Sequence, residues 1–244
     1  MSTFQLTTRF AGPRSMGHGG YVSGLVAEHL LGPDAVGAGA AQVTLRRPTP
    51  FDQPLAFQED GSSRVMLVCG DQTLVEAERA KLELAVPAAP SIEAARAAES
   101  GSPSFFQGTG VHPSCFGCSS LREKGDALRI FAGPCEVSGR KLVAATWTPG
   151  GELVTPSGVA PTRIVLSALD CPGGFAFIVD GKRAGLLGRI VFEQYLPVRA
   201  IEHRVLGWQI GEDGKKLLAG TALIDPQGQV CAVASATWFG MPGR

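Results

Sequence analysis

The sequence has no excess of charge of either sign, because 22 lysines and arginines are matched by 22 aspartates and glutamates. Proteins that bind nucleic acids or anionic membranes carry a surplus of basic side chains, so the composition argues against both kinds of partner. No apolar run reaches about 18 residues, the length that predicts a transmembrane helix. The opening segment MSTFQLTTRF lacks a basic region followed by an apolar one, which argues against a secretion signal.

Cysteine is also sparse, with six in 244 residues. This is too few for a disulfide scaffold, so we expect reduced thiols and a cytoplasmic protein. One Cys-X-X-Cys motif occurs, formed by Cys115 and Cys118, with His112 before it and Cys135 after it. These four residues offer the number of ligands that zinc takes, but no second such motif accompanies them. A reduced loop is the favoured interpretation, and we predict neither a metal nor a cofactor.

What the sequence does contain is one pattern present twice: an apolar helix after a glycine- or proline-rich break, and then a run of strands. The first helix is predicted over residues 21–31 and ends at Gly32-Pro33. The second lies in residues 156–174 and is expected to stop at Pro172-Gly173-Gly174, residues that disfavour helix. Hairpin-length turns separate the strands that follow each helix. An α+β fold is therefore expected, in which each helix buries its apolar face against an antiparallel sheet.

The repeat divides the chain into residues 1–86, a linker over residues 87–114 and a second unit over residues 115–244. The linker is rich in alanine, serine, proline and glycine, with one short helix predicted over residues 91–99. Alternation of apolar and polar residues predicts the strands. They are residues 4–10, 42–47, 55–59, 64–69, 73–84, 127–131, 142–148, 175–179, 186–195, 203–210, 216–224 and 230–239.

Asp170 stands at the predicted carboxyl end of the second helix, where the helix dipole opposes a negative charge. A carboxylate in apolar surroundings has a raised pKa and suits proton transfer. The alternative is an aspartate that bonds the backbone of the turn after the helix. His18 precedes two glycines at the start of the first helix, where free N–H groups can hold a ligand. The alternative for His18 is a surface residue in a glycine-rich turn.

These features resemble a tandem hotdog protein, close in layout to the acyl-CoA thioesterase II family. The segments GHGGYVSGLVAEHL and VTLRRPTPFDQPLAF are similar to the entry to the first hotdog helix and to the strand and proline-rich turn that follow it. IVLSALD resembles the end of the second hotdog helix, and DPQGQVCAVASATWF resembles the last turn and strand. The resemblance covers most of residues 1–85 and 127–240. It implies a double hotdog: two curved antiparallel sheets, each wrapped around a central helix, with an acyl-thioester pocket between the helices.

In the thioesterase II family an aspartate, a threonine or serine, and a glutamine position the attacking water. The resemblance places the aspartate on Asp170 and the glutamine near Ala236. The segment that bears the hydroxyl falls on residues 187–194, where Gly188 and Arg189 stand in place of an Asp-His pair. We therefore predict that Asp170 acts as the general base or as the group that positions the attacking water.

The remaining site residues are predicted from their neighbourhood. His18 and Thr237 are expected to replace the missing catalytic groups. Substrate contacts are assigned to the helix entry and to the two arginines beside the proline-rich turn. The arginines suit the phosphates of coenzyme A. The alternative is that they are solvated, as exposed arginines more often are. These residues are Gly19, Gly20, Tyr21, Arg46 and Arg47.

The predicted function is an acyl-CoA thioesterase-like hydrolase, with acyl-CoA or a similar thioester as its partner and a homo-oligomer as its state. The alternative is a non-catalytic hotdog protein that binds acyl-CoA or another lipid-like ligand. A hotdog dehydratase or hydratase ranks third. Those proteins usually carry a His–Asp or His–Glu pair on the helix and its entry loop, and only His18 fits that pattern in the sequence.

Overall fold

The computed structural model describes residues 3–32, 35–61, 63–108, 111–182 and 184–240. In these ranges the α-helices are α1 (Gly19–Leu31), α2 (Ile92–Ala98) and α3 (Thr162–Ile178). The strands are β1 (Thr3–Phe4), β2 (Ala40–Leu45), β3 (Leu55–Asp60), β4 (Arg64–Cys69), β5 (Gln72–Ala80), β6 (Gly133–Val137), β7 (Arg140–Trp147), β8 (Ala184–Gln194), β9 (His203–Asp213), β10 (Lys216–Ile224) and β11 (Val230–Gly240).

The strands described form one antiparallel sheet, in the order β1-β3-β4-β5-β2-β8-β11-β10-β9-β7-β6. The expectation of two sheets is corrected at the β2–β8 seam, where Ala41 pairs with Phe192 and Thr44 with Arg189. Each half would otherwise leave an open edge of unpaired N–H and C=O groups, and the seam satisfies both edges. α1 packs on β2, β4 and β5, while α3 packs on β7 to β11. The α+β class and the one-helix-per-half plan are confirmed.

The first helix follows the prediction closely. α1 begins after His18, whose ring accepts a hydrogen bond from the Tyr21 N–H. It ends at Leu31, and the next residue, Gly32, takes a φ of 98°, a left-handed conformation that favours glycine. Pro33, the other half of the predicted stop, lies outside the described residues.

The second helix continues well past its predicted end. α3 runs through Pro172, Gly173 and Gly174 to Ile178, so residues 175–179 are not the expected strand. Every residue from Ile164 to Phe177 is buried. A helix enclosed on all sides gains enough from packing to outweigh the low helix propensities of proline and glycine. Asp170 is consequently an interior helical residue. The prediction that it stands at the carboxyl end of the helix, where the dipole would oppose its charge, is wrong.

Smaller differences occur where the pattern is short. Residues 127–131 do not form a strand, and β6 was not predicted. Residues 4–10 contain only the end of β1 and a 3₁₀ turn. The helix in the predicted linker is present as α2, and its Ala95 is buried in a cluster with β7 and β9 side chains. No helix in the described ranges is long and apolar enough to span a membrane.

The two long helices cross at very short range, and glycines permit the contact. A Cβ on Gly24 would lie 2.3 Å from the Cα of Arg163, and one on Gly20 would lie 2.6 Å from the carbonyl oxygen of Leu166. Both obstacles are backbone atoms, which no side-chain rotation can move. The glycine face of α1 therefore sets how closely the amino-terminal turn of α1 approaches the middle of α3.

We predict that Gly24→Ala lowers the free energy of unfolding by about 1–3 kcal/mol, because overpacking against backbone forces the helices apart. The substitution would raise intrinsic helix propensity by about 1 kcal/mol, so a net loss of stability shows that the clash outweighs the gain in propensity. Gly211→Ala is the control, since a Cβ there meets nothing within 4 Å. Urea unfolding of both variants measures the effect, and equal stability of the two would contradict it.

Candidate active site

A pocket of about 230 Å³ opens where the start of α1, the middle of α3 and the segment around residues 111–118 meet. Most of its wall is aliphatic or aromatic. The polar side chains in the lining include His18, Thr49, Cys115, Cys118, Asp170 and Cys171. An apolar pocket with a few convergent polar groups is the usual form of a small-molecule site. We therefore take it as the candidate active site.

His18 and Asp170 form a buried pair at the base of this pocket. The Nε2 of His18 lies 3.4 Å from Oδ2 of Asp170, and the two side chains are 2% and 4% exposed. The same carboxylate oxygen accepts a hydrogen bond of 2.6 Å from the Gly20 N–H. α1 thus presents both its N-cap histidine and a first-turn N–H to the acid on α3. The pair joins residues that are far apart in the sequence, so neither helix alone could predict it.

Burial raises the pKa of Asp170, although His18 and the Gly20 N–H act against the rise. Burial alone lowers the pKa of His18, but the Asp170 carboxylate, with help from Cys115, raises it above the ordinary 6.5. In the neutral ring Nδ1 accepts the Tyr21 N–H at 3.3 Å, so the proton stays on Nε2. His18 therefore presents an N–H donor towards Asp170 and the thiols.

Three thiols complete the cluster. Cys118 donates to the sulfur of Cys115 at 3.3 Å, and Cys171 lies 3.6 Å from the same sulfur. Cys171 is also 3.6 Å from Nε2 of His18. Hydrogen bonds from Cys118 and Cys171 hold the pKa of Cys115 well below its ordinary value. Cys118 and Cys171 are the donors in these bonds, which raise their pKa values well above the ordinary value for a thiol.

The Cys-X-X-Cys segment is held in place by its two central residues. Phe116 is fully buried, and its N–H donates to the Ala11 carbonyl at 2.7 Å. A Cβ on Gly117 would lie 2.7 Å from the sulfur of Cys171 and 2.8 Å from Nε2 of His18. Glycine is required here because a larger residue would displace the cluster.

The four residues proposed as zinc ligands do not converge. His112 bonds Ser114 through Nδ1. Cys135, which lies on β6, packs against a separate apolar cluster. His18, Cys115 and Cys171 do lie within 4.8 Å of one another. A metal on Nε2 of His18 would require a proton on Nδ1, facing the N–H of Tyr21. The ring therefore fits a hydrogen-bonding role better than metal ligation.

Three polar atoms of the lining are buried without a hydrogen-bond partner among the described residues. They are Oδ1 of Asp170, Oγ1 of Thr49 and Nε1 of Trp238. An unsatisfied buried polar group costs about 1–3 kcal/mol, and such groups in one pocket indicate where a polar molecule binds. Sequence reasoning missed Thr49, because its Pro-Thr-Pro context predicts only a turn.

The other predicted residues are distributed unevenly around the pocket. Gly19 lines it, whereas the Gly20 N–H is occupied by Asp170. Tyr21 stacks on Phe10 at 3.7 Å between ring centroids and belongs to the core.

Arg46 and Arg47 stand at the rim of the pocket. Arg46 is paired with Glu76, whereas Arg47 forms no ion pair within the described part of the chain. Thr237, on β11, is not among the lining residues.

Solved structures share this architecture over nearly the whole chain. A TesB protein from Mycobacterium avium subspecies paratuberculosis superposes with a TM-score of 0.58 at 16% identity, covering 98% of this chain and 91% of that one. A Thermobifida fusca protein described as a thioesterase II gives 0.59 at 12% identity, covering 99% and 93%. A protein of unknown function with a hot dog fold from Alicyclobacillus acidocaldarius gives 0.64 at 8% identity, covering 99% and 93%. The chain has the tandem hotdog fold.

Sequence comparison adds no closer assignment, since no family model and no curated protein matches the chain. The tandem hotdog fold explains the placement of the pocket. The two central helices lie side by side, and residues from both halves meet between them. At these identities the likeness extends to the fold alone.

We predict that Asp170→Asn lowers the pKa of His18, because the carboxylate is what raises it against burial. In the wild type the folded chain holds this proton more tightly than the unfolded chain. The stability that His18 contributes is thus full below pH 6.5 and is lost as the pH rises through the raised pKa. Titration of the His18 ring by NMR measures the shift. Asp213→Asn, a change at an exposed acid, is the control, and an unaltered His18 pKa in Asp170→Asn would contradict the assignment.

Proposed function

We propose that this tandem hotdog protein is a thioesterase-like hydrolase that cleaves an acyl thioester with a water activated by Asp170. The observation that carries the proposal is the state of the Asp170 carboxylate. One oxygen is fixed by the Gly20 N–H and lies beside His18, while the other is buried in the pocket lining without a partner among the described residues. A carboxylate held in this way can accept a proton from a water in a defined position.

The raised pKa of Asp170 suits this role, because burial makes the carboxylate a stronger base than an exposed aspartate. Thr49 provides a hydroxyl in the same lining that can hold the water or the substrate. We assign to Thr49 the role that the resemblance gave to a threonine or serine in residues 187–194. No glutamine is present near Ala236, so in this protein the water would be held by Asp170 and Thr49 without the glutamine that the family uses.

Charge that develops on the thioester oxygen needs hydrogen-bond donors. The N–H of Gly19 lies in the first turn of α1, where no preceding helical carbonyl is available to it, and Gly19 lines the pocket. The Nε2–H of His18 lies in the same pocket, beside Asp170 and Cys171. We assign these two donors to the carbonyl oxygen, with the acyl chain lying against the apolar wall.

A second candidate reaction is the hydration of a 2-enoyl thioester. The 3.4 Å contact between His18 and Asp170 supplies the His–Asp pair that hotdog hydratases usually carry and that was not evident in the sequence. In that reaction Asp170 activates the water, which adds to the double bond. Incubation with crotonyl-CoA separates the two reactions: hydrolysis releases free thiol, whereas hydration lowers the absorbance of the conjugated enoyl group and releases none.

We predict that Asp170→Asn reduces hydrolysis of acetyl-, hexanoyl- and palmitoyl-CoA by about 10²- to 10⁴-fold, the usual contribution of a general base. Asparagine keeps an oxygen for the Gly20 N–H, so binding of the unreacted thioester should change little. Free thiol release measures the rate, and calorimetry measures binding. Asp213→Asn serves as the control. A wild-type protein that releases no thiol from any of the three chain lengths would refute the proposal.

Arg47 provides a test of whether the protein recognises the phosphates of coenzyme A. Its guanidinium stands at the pocket rim without an ion pair among the described residues. We predict that Arg47→Ala raises KM for acyl-CoA about fivefold. This factor corresponds to the loss of ~1 kcal/mol of binding free energy, the contribution of an exposed charge pair. KM for the matching N-acetylcysteamine thioester, which has no phosphate, should not change. Arg46→Ala is the comparison, since Arg46 already pairs with Glu76. An equal effect of Arg47→Ala on both substrates would exclude phosphate recognition.

A further inference from the structure

Hydrolysis by a water on Asp170 gives no role to the three thiols of the pocket. Cys115, Cys118 and Cys171 are at most 8% exposed, and all three line the same pocket as Asp170. Buried cysteines are usually inert packing residues. Here, however, the sulfurs contact one another and the His18 ring instead of aliphatic neighbours alone.

Cys115 differs from the other two in its surroundings. Its sulfur lies between two thiols, at 3.3 Å from Cys118 and 3.6 Å from Cys171, and within 4.8 Å of a ring nitrogen of His18. The neutral His18 ring carries its proton on the nitrogen that faces this cluster. Cys115 is thus the acceptor at the centre of several weak donors, an arrangement that stabilises a thiolate and matches the lowered pKa.

The geometry points to Cys115 as a covalent nucleophile that accepts the acyl group from the thioester before water releases it. This inference rests on the proposed hydrolysis and assigns it an acyl-enzyme intermediate. Thiolates are the reactive form of cysteine and attack carbonyl carbons directly. Exchange of one thioester for another conserves the type of bond that is broken and formed.

The chemistry balances without a further reactant. In the first step the Cys115 sulfur bonds to the carbonyl carbon, and the bond from that carbon to the coenzyme A sulfur breaks. The departing sulfur takes the bonding pair and then a proton from solvent. In the second step Asp170 accepts a proton from water, the hydroxide bonds to the same carbon, and the Cys115 thiolate is released. Asp170 returns its proton to solvent, so the products are a carboxylic acid and free coenzyme A.

A two-step route assigns separate tasks to the residues of the pocket. Cys118 and Cys171 remain protonated because they donate to Cys115, and they act as positioning residues for the thiolate. Asp170 acts only when water attacks the acyl-enzyme. Loss of Asp170 should therefore block the second step and leave the first intact, which a direct attack of water on the substrate would not do.

The test is intact-mass and peptide-mass analysis of Asp170→Asn after incubation with hexanoyl-CoA. We expect one added hexanoyl group on Cys115, removable by hydroxylamine, and none in the Asp170→Asn, Cys115→Ser double variant. In the wild type we expect iodoacetamide to label Cys115 at pH 6 faster than any other cysteine. Cys135→Ser is the control, since Cys135 lies in a separate cluster. Labelling of the wild type also covers the case in which Asp170→Asn fails to fold.

The outcomes separate this inference from the proposed function. If the wild type releases thiol, Cys115→Ser retains the wild-type rate, and no adduct forms, the nucleophile is overturned and hydrolysis by direct water attack stands. If Cys115 becomes acylated but the wild type never releases the acid, the nucleophile stands and the hydrolase proposal fails. Absence of both acylation and thiol release overturns both.

Discussion

The close crossing of α1 and α3 is the constraint on which the rest of the structure depends. Gly20 and Gly24 let the first helix lie against the backbone of the second. This contact places the N-cap histidine and the Gly20 N–H beside an acid in the interior of α3. The continuous sheet, joined at the β2–β8 seam, holds both helices on one surface. A wider crossing would separate His18 from Asp170 and open the pocket to water.

The site is consequently a property of both halves together. His18 comes from the first unit, Asp170 and Cys171 from the second, and Cys115 from the segment that follows the predicted linker. Gly117 allows that segment to approach, because a side chain at this position would collide with His18 and Cys171. Each of these segments is short, and the pocket cluster forms only when the fold brings all of them together.

Local rules predicted much of the fold but little of the site. β4 and β10 coincide with the predicted ranges because alternation and turn residues agree there. The end of α3 was missed because the Pro172-Gly173-Gly174 rule is local, whereas burial on every side is a tertiary effect. Asp170 and His18 were identified individually, but their pairing depends on the helix crossing. The hydroxyl of Thr49 had no sequence signal, since its importance lies in being buried without a partner among the described residues.

The indole of Trp238 lies directly against the helix that carries Asp170. Positions 173 and 174 of α3 are glycines, and a Cβ at either would lie within 3.1–3.4 Å of that ring. Its Nε1 is buried and unpaired among the described residues, whereas Trp147 and Trp208 are not in the pocket lining. The protein thus carries an intrinsic fluorophore in the wall of its pocket, and occupancy can be followed through the emission of its own side chain, without a label.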